Sequence, residues 1–116
     1  MTSIDIGQLW YDAVLVGNLL SLSTSDDTYY GVLQTAISEK NGDLQKAILD
    51  YIQFSMEWNE RLREHPEGPP SPDEFDRFGE IVRSGKWLLR RGSSSFPIQD
   101  APVFFVRNEV TLRLRQ

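Results

Sequence analysis

The 22 residues from Asp43 to Glu64, DLQKAILDYIQFSMEWNERLRE, hold no proline or glycine, and their apolar side chains recur every three or four positions. On a wheel of about 100° per residue with Leu44 at zero, Leu44, Ala47, Ile48, Tyr51, Ile52, Phe54, Trp58 and Leu62 fall within about 80° of one another's centre. Lys46, Asp50, Glu57, Glu60, Arg61 and Glu64 take the opposite side, and Met56 lies clearly outside the stripe. A helix with so wide an apolar face must bury it, so whatever else the chain forms has to supply a cover for residues 43–64.

This helix ends in a sharp break. Residues 65–72, HPEGPPSP, contain four prolines and one glycine, which cannot continue a helix. Ser71-Pro72-Asp73-Glu74 then combines a cap, a proline at the first helical position and a Ser-x-x-Glu capping box. A helix is expected over about 72–84, burying Phe75, Phe78, Ile81 and Val82 and ending near Gly85. Upstream, Leu9, Ala13, Val16 and Leu20 stand at helical spacing, widened by Trp10 and Val14, and predict a helix over about 5–22 with Asp5 at its start. Ser25, Asp26 and Asp27 read as the cap and acidic first turn of another helix over about 26–39, with Tyr29, Val32, Leu33, Ala36 and Ile37 as its apolar face and Asn41-Gly42 as its stop.

After Gly85 the pattern changes. KWLLRR, residues 86–91, suits either another helical turn or a short strand. Beyond it, Val110, Leu112 and Leu114 alternate with Thr111, Arg113 and Arg115, which is strand period, and VFFV at 103–106 suits the partner strand. A hairpin is expected over about 102–115 with its turn near Arg107-Asn108. The expected architecture is therefore mainly α: a bundle of three to four helices in a single domain over residues 1–116, finished by a C-terminal antiparallel β-hairpin or three short strands.

Composition narrows the chemistry. The apolar and charged fractions, 40% and 25%, are those of a globular chain rather than a disordered one. No cysteine is present, so there is no disulfide, thiolate nucleophile or cysteine-ligated metal. The N-terminus lacks a basic leader, and the longest apolar-rich stretch is interrupted by Asp12 and Asn18, so neither a secretory signal nor a membrane span is expected and the expected address is cytoplasmic. Charge is unevenly spread: 15 Asp and Glu face 5 Lys and Arg up to residue 82, and 2 face 7 after it, giving −10 and +5. Such a split points to charged partners.

Each candidate for chemistry has a plainer explanation. His65 is the single histidine and stands at a helix end, where it suits the dipole; one histidine without cysteine makes no zinc site. Asp73, Glu74, Asp76 and Glu80 could hold a cation or act as acid and base, but Arg77 and Arg83 adjoin them and the dipole accounts for the first-turn acids. RSGKW lacks the glycine-rich lead of a phosphate loop. Arg90-Arg91-Gly92-Ser93 matches a short basic pattern that some kinases read at serine, and equally marks an ordered segment giving way to a loop. No catalytic residue, cofactor or metal site is expected, and no enzyme activity.

The expected role is binding of another protein, as an adaptor, regulator or inhibitor. The candidate residues are Asp50, Glu57, Glu60 and Glu64 on the acidic helical face and Arg90, Arg91, Arg107, Arg113 and Arg115 in the basic segment. Pairing of opposite charges between copies makes a homo-oligomer compatible with the same pattern. The alternative is nucleic-acid binding, with Lys86 and these arginines along a wing-like hairpin; the acid-rich start of the helix that would enter the groove, SPDEFDRFGE, disfavours it.

Overall fold

A computed structural model describes residues 7–65, 67 and 76–115. The chain is mostly β, not a helical bundle. Seven antiparallel strands form one curled sheet, a half-barrel: β1 (Gly7–Tyr11), β2 (Val14–Ser25), β3 (Thr28–Thr35), β4 (Trp87–Arg91), β5 (Ser94–Pro97), β6 (Val103–Phe104) and β7 (Glu109–Arg113), in the order β5-β4-β1-β2-β3-β7-β6. The long helix α1 (Asp43–Glu64) packs on the concave side, and a short α2 (Gly79–Arg83) comes after a single turn of 3-10 helix at residues 76–78.

The expected helix over 5–22 is instead the β1–β2 hairpin. Its inward residues are Leu9, Tyr11, Val14, Val16, Leu19 and Leu22. Strict alternation would space them by two, but the register slips beside Leu9/Trp10 and again between Leu20 and Ser23. Each bulge adds one residue and turns twos into threes, which blurs the strand period; of the expected helical stripe Leu9, Val14 and Val16 face the core, while Trp10 and Leu20 do not and Ala13 lies in the turn. Asp12-Ala13 makes the two-residue turn, with Asp12 at φ 54°.

The expected helix over 26–39 is also absent. Asp26-Asp27 is the turn between β2 and β3, with Asp26 at φ 57°. The same acidic residues that suit a helix start also suit a tight turn, because aspartate tolerates the left-handed region. In β3, Tyr29 and Leu33 face the core while Tyr30 and Val32 face out. The expected helix over 72–84 shrinks to α2 and the preceding 3-10 turn in its described part; the capping box Ser71 to Glu74, with Phe75, lies outside the described residues, as does Asp5.

The helix over 43–64 is present with those bounds, and so is the last hairpin: β6 pairs with β7 through Val103↔Thr111 and Phe104↔Val110, turning at Arg107 and Asn108, both left-handed. KWLLRR resolves as a strand. WLLRRGSSSF is a hairpin in which Arg91↔Ser94 flank a Gly92-Ser93 turn, and Gly92 supplies φ 60°.

The core joins α1 to the sheet through aromatic rings. Tyr51 meets Phe78, Phe104 and Trp87 at centroid distances of 5.6, 6.0 and 6.2 Å, and Tyr11 meets Trp87 edge-on at 5.1 Å. The buried indole of Trp87 donates to the Ile81 carbonyl at 2.9 Å, which anchors α2. A polar ladder on α1 completes the cover. The Tyr51 hydroxyl donates to Pro102 O (3.0 Å), the Ser55 hydroxyl accepts from Phe104 N (2.9 Å) and donates to Phe104 O (3.3 Å), and Asn59 Nδ2 also donates to Phe104 O (3.1 Å). One helix face thereby satisfies the free edge of β6, an edge that would otherwise invite pairing with another chain.

The sheet's other edge is managed differently. Ile98 N donates to Trp87 O at 3.0 Å, so residues 94, 96 and 98 turn their peptide groups toward β4. Ser95 and Pro97 face away; Pro97 has no N–H, and its carbonyl accepts from Arg115 N at 2.8 Å. The Ile98↔Leu114 bridge means that one continuous segment pairs with β4 at its start and with β7 further on. Residues 94–104 tie the two ends of the curl together.

Candidate partner interface

Among the described residues both helices lie on the concave side, and the outer face of the sheet is left to solvent. Three of the exposed large apolar side chains gather on one part of it: Tyr30 and Val32 from β3 and Val103 from β6, whereas Val106, in the turn before β7, shares a depression with Asn59, Leu62 and Arg63 of α1. Register explains the grouping. Tyr30, Thr111 and Val103 form one cross-strand row, and Val32 and Glu109 a neighbouring pair, so side chains on adjacent strands stand within direct contact range. The bulge at Ser21, with φ 54°, opens a shallow cavity of ≈ 390 Å³ in this surface, lined by Ser21, Tyr30, Val32, Phe105, Glu109 and Thr111. A contiguous apolar patch rimmed by charge is the surface signature of a docking site.

The arginines expected to bind together are dispersed. Arg113, on the same face of β7 as Thr111, donates from Nε to Thr28 Oγ1 at 3.3 Å and rims the patch; Arg107 lies in the turn next to Val106. Arg115 instead serves the fold, with Nη2 donating to Gly85 O (3.0 Å) and Ile98 O (3.5 Å). Arg90 and Arg91 stand at the far end of β4 from Gly85; the Arg90 guanidinium lies 4.7 Å over the Trp10 ring, whose Nε1 donates to Gln8 Oε1 (3.2 Å). Among the described residues these arginines stand apart from one another, and α2 covers five residues of the helix expected over 72–84.

On the acidic face of α1, three of the four expected acids have partners within the helix. Asp50 pairs with Lys46 (3.6 Å), Glu60 with Arg63 (3.8 Å), and Glu57 accepts from Gln53 Nε2 (3.1 Å). Glu57, Glu60 and Glu64 share a shallow depression with Phe54, Arg61 and Arg77, and the Arg77 guanidinium stacks 4.6 Å over the Phe78 ring. Cations thus stand among these acids. His65 lies at the end of α1, its Nδ1 3.3 Å from Glu67 Oε1. Among the described residues no group of three or more His, Cys, Asp or Glu is placed to hold a metal, and no helix is long and apolar enough to cross a membrane.

The patch residues escape sequence reasoning because helical spacing puts Val32 on a buried face and leaves Tyr30 off it. Their signal is the strand alternation in TYYGVLQT, which separates Tyr29 and Leu33 from Tyr30 and Val32. Comparison with protein-family models, with curated proteins and with solved structures finds no match to this chain.

Proposed function

We propose that this chain is a small protein-binding module that docks a partner on the outer face of β3, β7 and β6. The observation that carries this reading is the gathering of Tyr30, Val32 and Val103 on one uncovered stretch of sheet. An aromatic and aliphatic centre with arginine at the rim is the composition of a protein interface. The partner this surface suits presents apolar anchors with a carboxylate placed to meet Arg113. A phosphate backbone is less well served, since the arginines stand apart and the patch between them is apolar.

The test is capture from the host's lysate by the wild-type chain, by a Val32→Asp/Val103→Asp variant, and by a Glu57→Lys/Glu60→Lys/Glu64→Lys variant, with sedimentation of each alone. A stoichiometric protein retained by the wild type and the helix variant but lost by the sheet variant is the expected result. Self-association lost by the sheet variant alone would make the partner a second copy. Equal capture by all three forms would overturn the assignment of the site, and capture that depends on intact nucleic acid would overturn the protein-binding reading.

A further inference from the structure

The register of the sheet also opens a gap near its closing end. Between the Ile98↔Leu114 bridge and the Val103↔Thr111 pair, residues 98–103 run opposite residues 111–114. The longer segment therefore bulges, with Asp100 at φ 58°, and its middle stands off from β7. The gap is a cavity of ≈ 540 Å³ that passes from the outer face toward the core. Its floor is apolar: Tyr51 from α1, Val82 from α2 and Leu112 from β7. The Tyr51 hydroxyl is committed to Pro102 O, so the floor presents the ring and not a charge.

The rim is polar and carries both signs of charge. Gln99 N donates to Arg113 O at 2.8 Å, which sets Asp100 one residue past the position opposite Arg113. Thr28 Oγ1 accepts from Arg113 Nε, leaving the terminal nitrogens of the guanidinium for a ligand. Among the described residues neither Asp100 nor Arg113 forms an ion pair, although both line this one cavity. The hydroxyls of Thr28, Tyr30 and Thr111 stand beside them.

We propose that this cavity is a binding site for a small zwitterion with an apolar side chain, an α-amino acid, with its carboxylate on Arg113, its ammonium on Asp100 and its side chain toward Leu112 and Tyr51. A simple anion would be opposed by Asp100 and a simple cation by Arg113; only a ligand with both charges satisfies the two at once. The volume lies within the range of small-molecule sites, and an apolar floor with a few oriented polar groups is their usual construction. The site shares Tyr30, Val103, Thr111 and Arg113 with the partner surface, and the free chain binds the ligand without a partner.

Amide-resolved NMR titration of the full chain tests this. The probes are L-leucine and L-phenylalanine, together with their N-acetyl and carboxamide derivatives. The free amino acids should shift the Gln99–Ala101 and Thr111–Arg113 resonances saturably, and removing either charge should weaken binding by about tenfold or more. Arg113→Gln and Asp100→Asn should each weaken it similarly; both side chains are exposed, and asparagine tolerates the same positive φ, so the rest of the spectrum should stay in place. No saturable shift with either amino acid, equal binding of the blocked derivatives, or wild-type binding by both variants would each overturn the proposal.

Discussion

Ser55 lies near the centre of the apolar stripe of α1, at about 20° on the wheel that puts Leu44 at zero, and it is 3% exposed. A hydroxyl buried so deeply costs stability unless it is bonded, and here both its donor and its acceptor capacity go to Phe104. Tyr51 and Asn59, one turn to either side, donate to the carbonyls of Pro102 and Phe104 respectively. The wheel locates α1 correctly, yet nothing local distinguishes a serine facing solvent from one facing a strand edge. Burial raises the Tyr51 hydroxyl from 10.0 to about 12, with the Ser55 side chain offsetting part of the effect. The folded state therefore holds this proton more tightly than the unfolded one. Its contribution is intact below pH 10, shrinks as pH rises toward about 12, and amounts to about 2–3 kcal/mol over that interval. Urea unfolding at pH 8 and pH 11.5 should show this loss in the wild type and its absence in Tyr51→Phe.

At the scale of elements, bulges and turns decide where a sequence reading holds. Three tight turns open with a residue in the left-handed region, Asp12, Asp26 and Gly92, and the two aspartates carry the same signal as a helix cap. Two slips of register blur the strand period of the β1–β2 hairpin. By contrast β7 has no slip in its pairing with β3, and its alternation is plain in Val110, Leu112 and Leu114. Gly17 shows how closely β2 and β3 approach: a Cβ there would run into the Gln34 carbonyl and the Leu33 side chain. Since a backbone group cannot rotate aside, Gly17→Ala should destabilise the chain by about 2–3 kcal/mol, read as a lower denaturant midpoint with an unchanged slope.

For the molecule as a whole, residues 94–104 do the closing. Ile98 is fully buried at the point where this segment leaves β4 and reaches β7. Ile98→Ala should cost about 2–5 kcal/mol, and because the segment joins both ends of the curl, hydrogen exchange should quicken in β4 and β7 together. Faster exchange confined to one of them would show that the ends are held independently. The same closure governs the candidate sites. The apolar patch exists because β3, β7 and β6 lie side by side, and the Asp100–Arg113 cavity exists because the closing segment is longer than the stretch of β7 it faces. Both depend on pairings between residues far apart in the chain, so the arginines could be named from the sequence but not grouped.

Legible in the order of residues alone were a helix from Asp43 to Glu64, the alternation of the last strand with its turn at Arg107-Asn108, and the separation of acidic from basic halves. Each arises from local chemistry: periodicity, turn residues or charge. Tertiary structure alone decided that residues 7–35 are strands, because an amphipathic stretch is stabilised by whatever it packs against, and here it pairs with β4 and β7 and covers α1. It alone decided which side chains meet on the outer face, since that follows from which strands lie side by side and in what register.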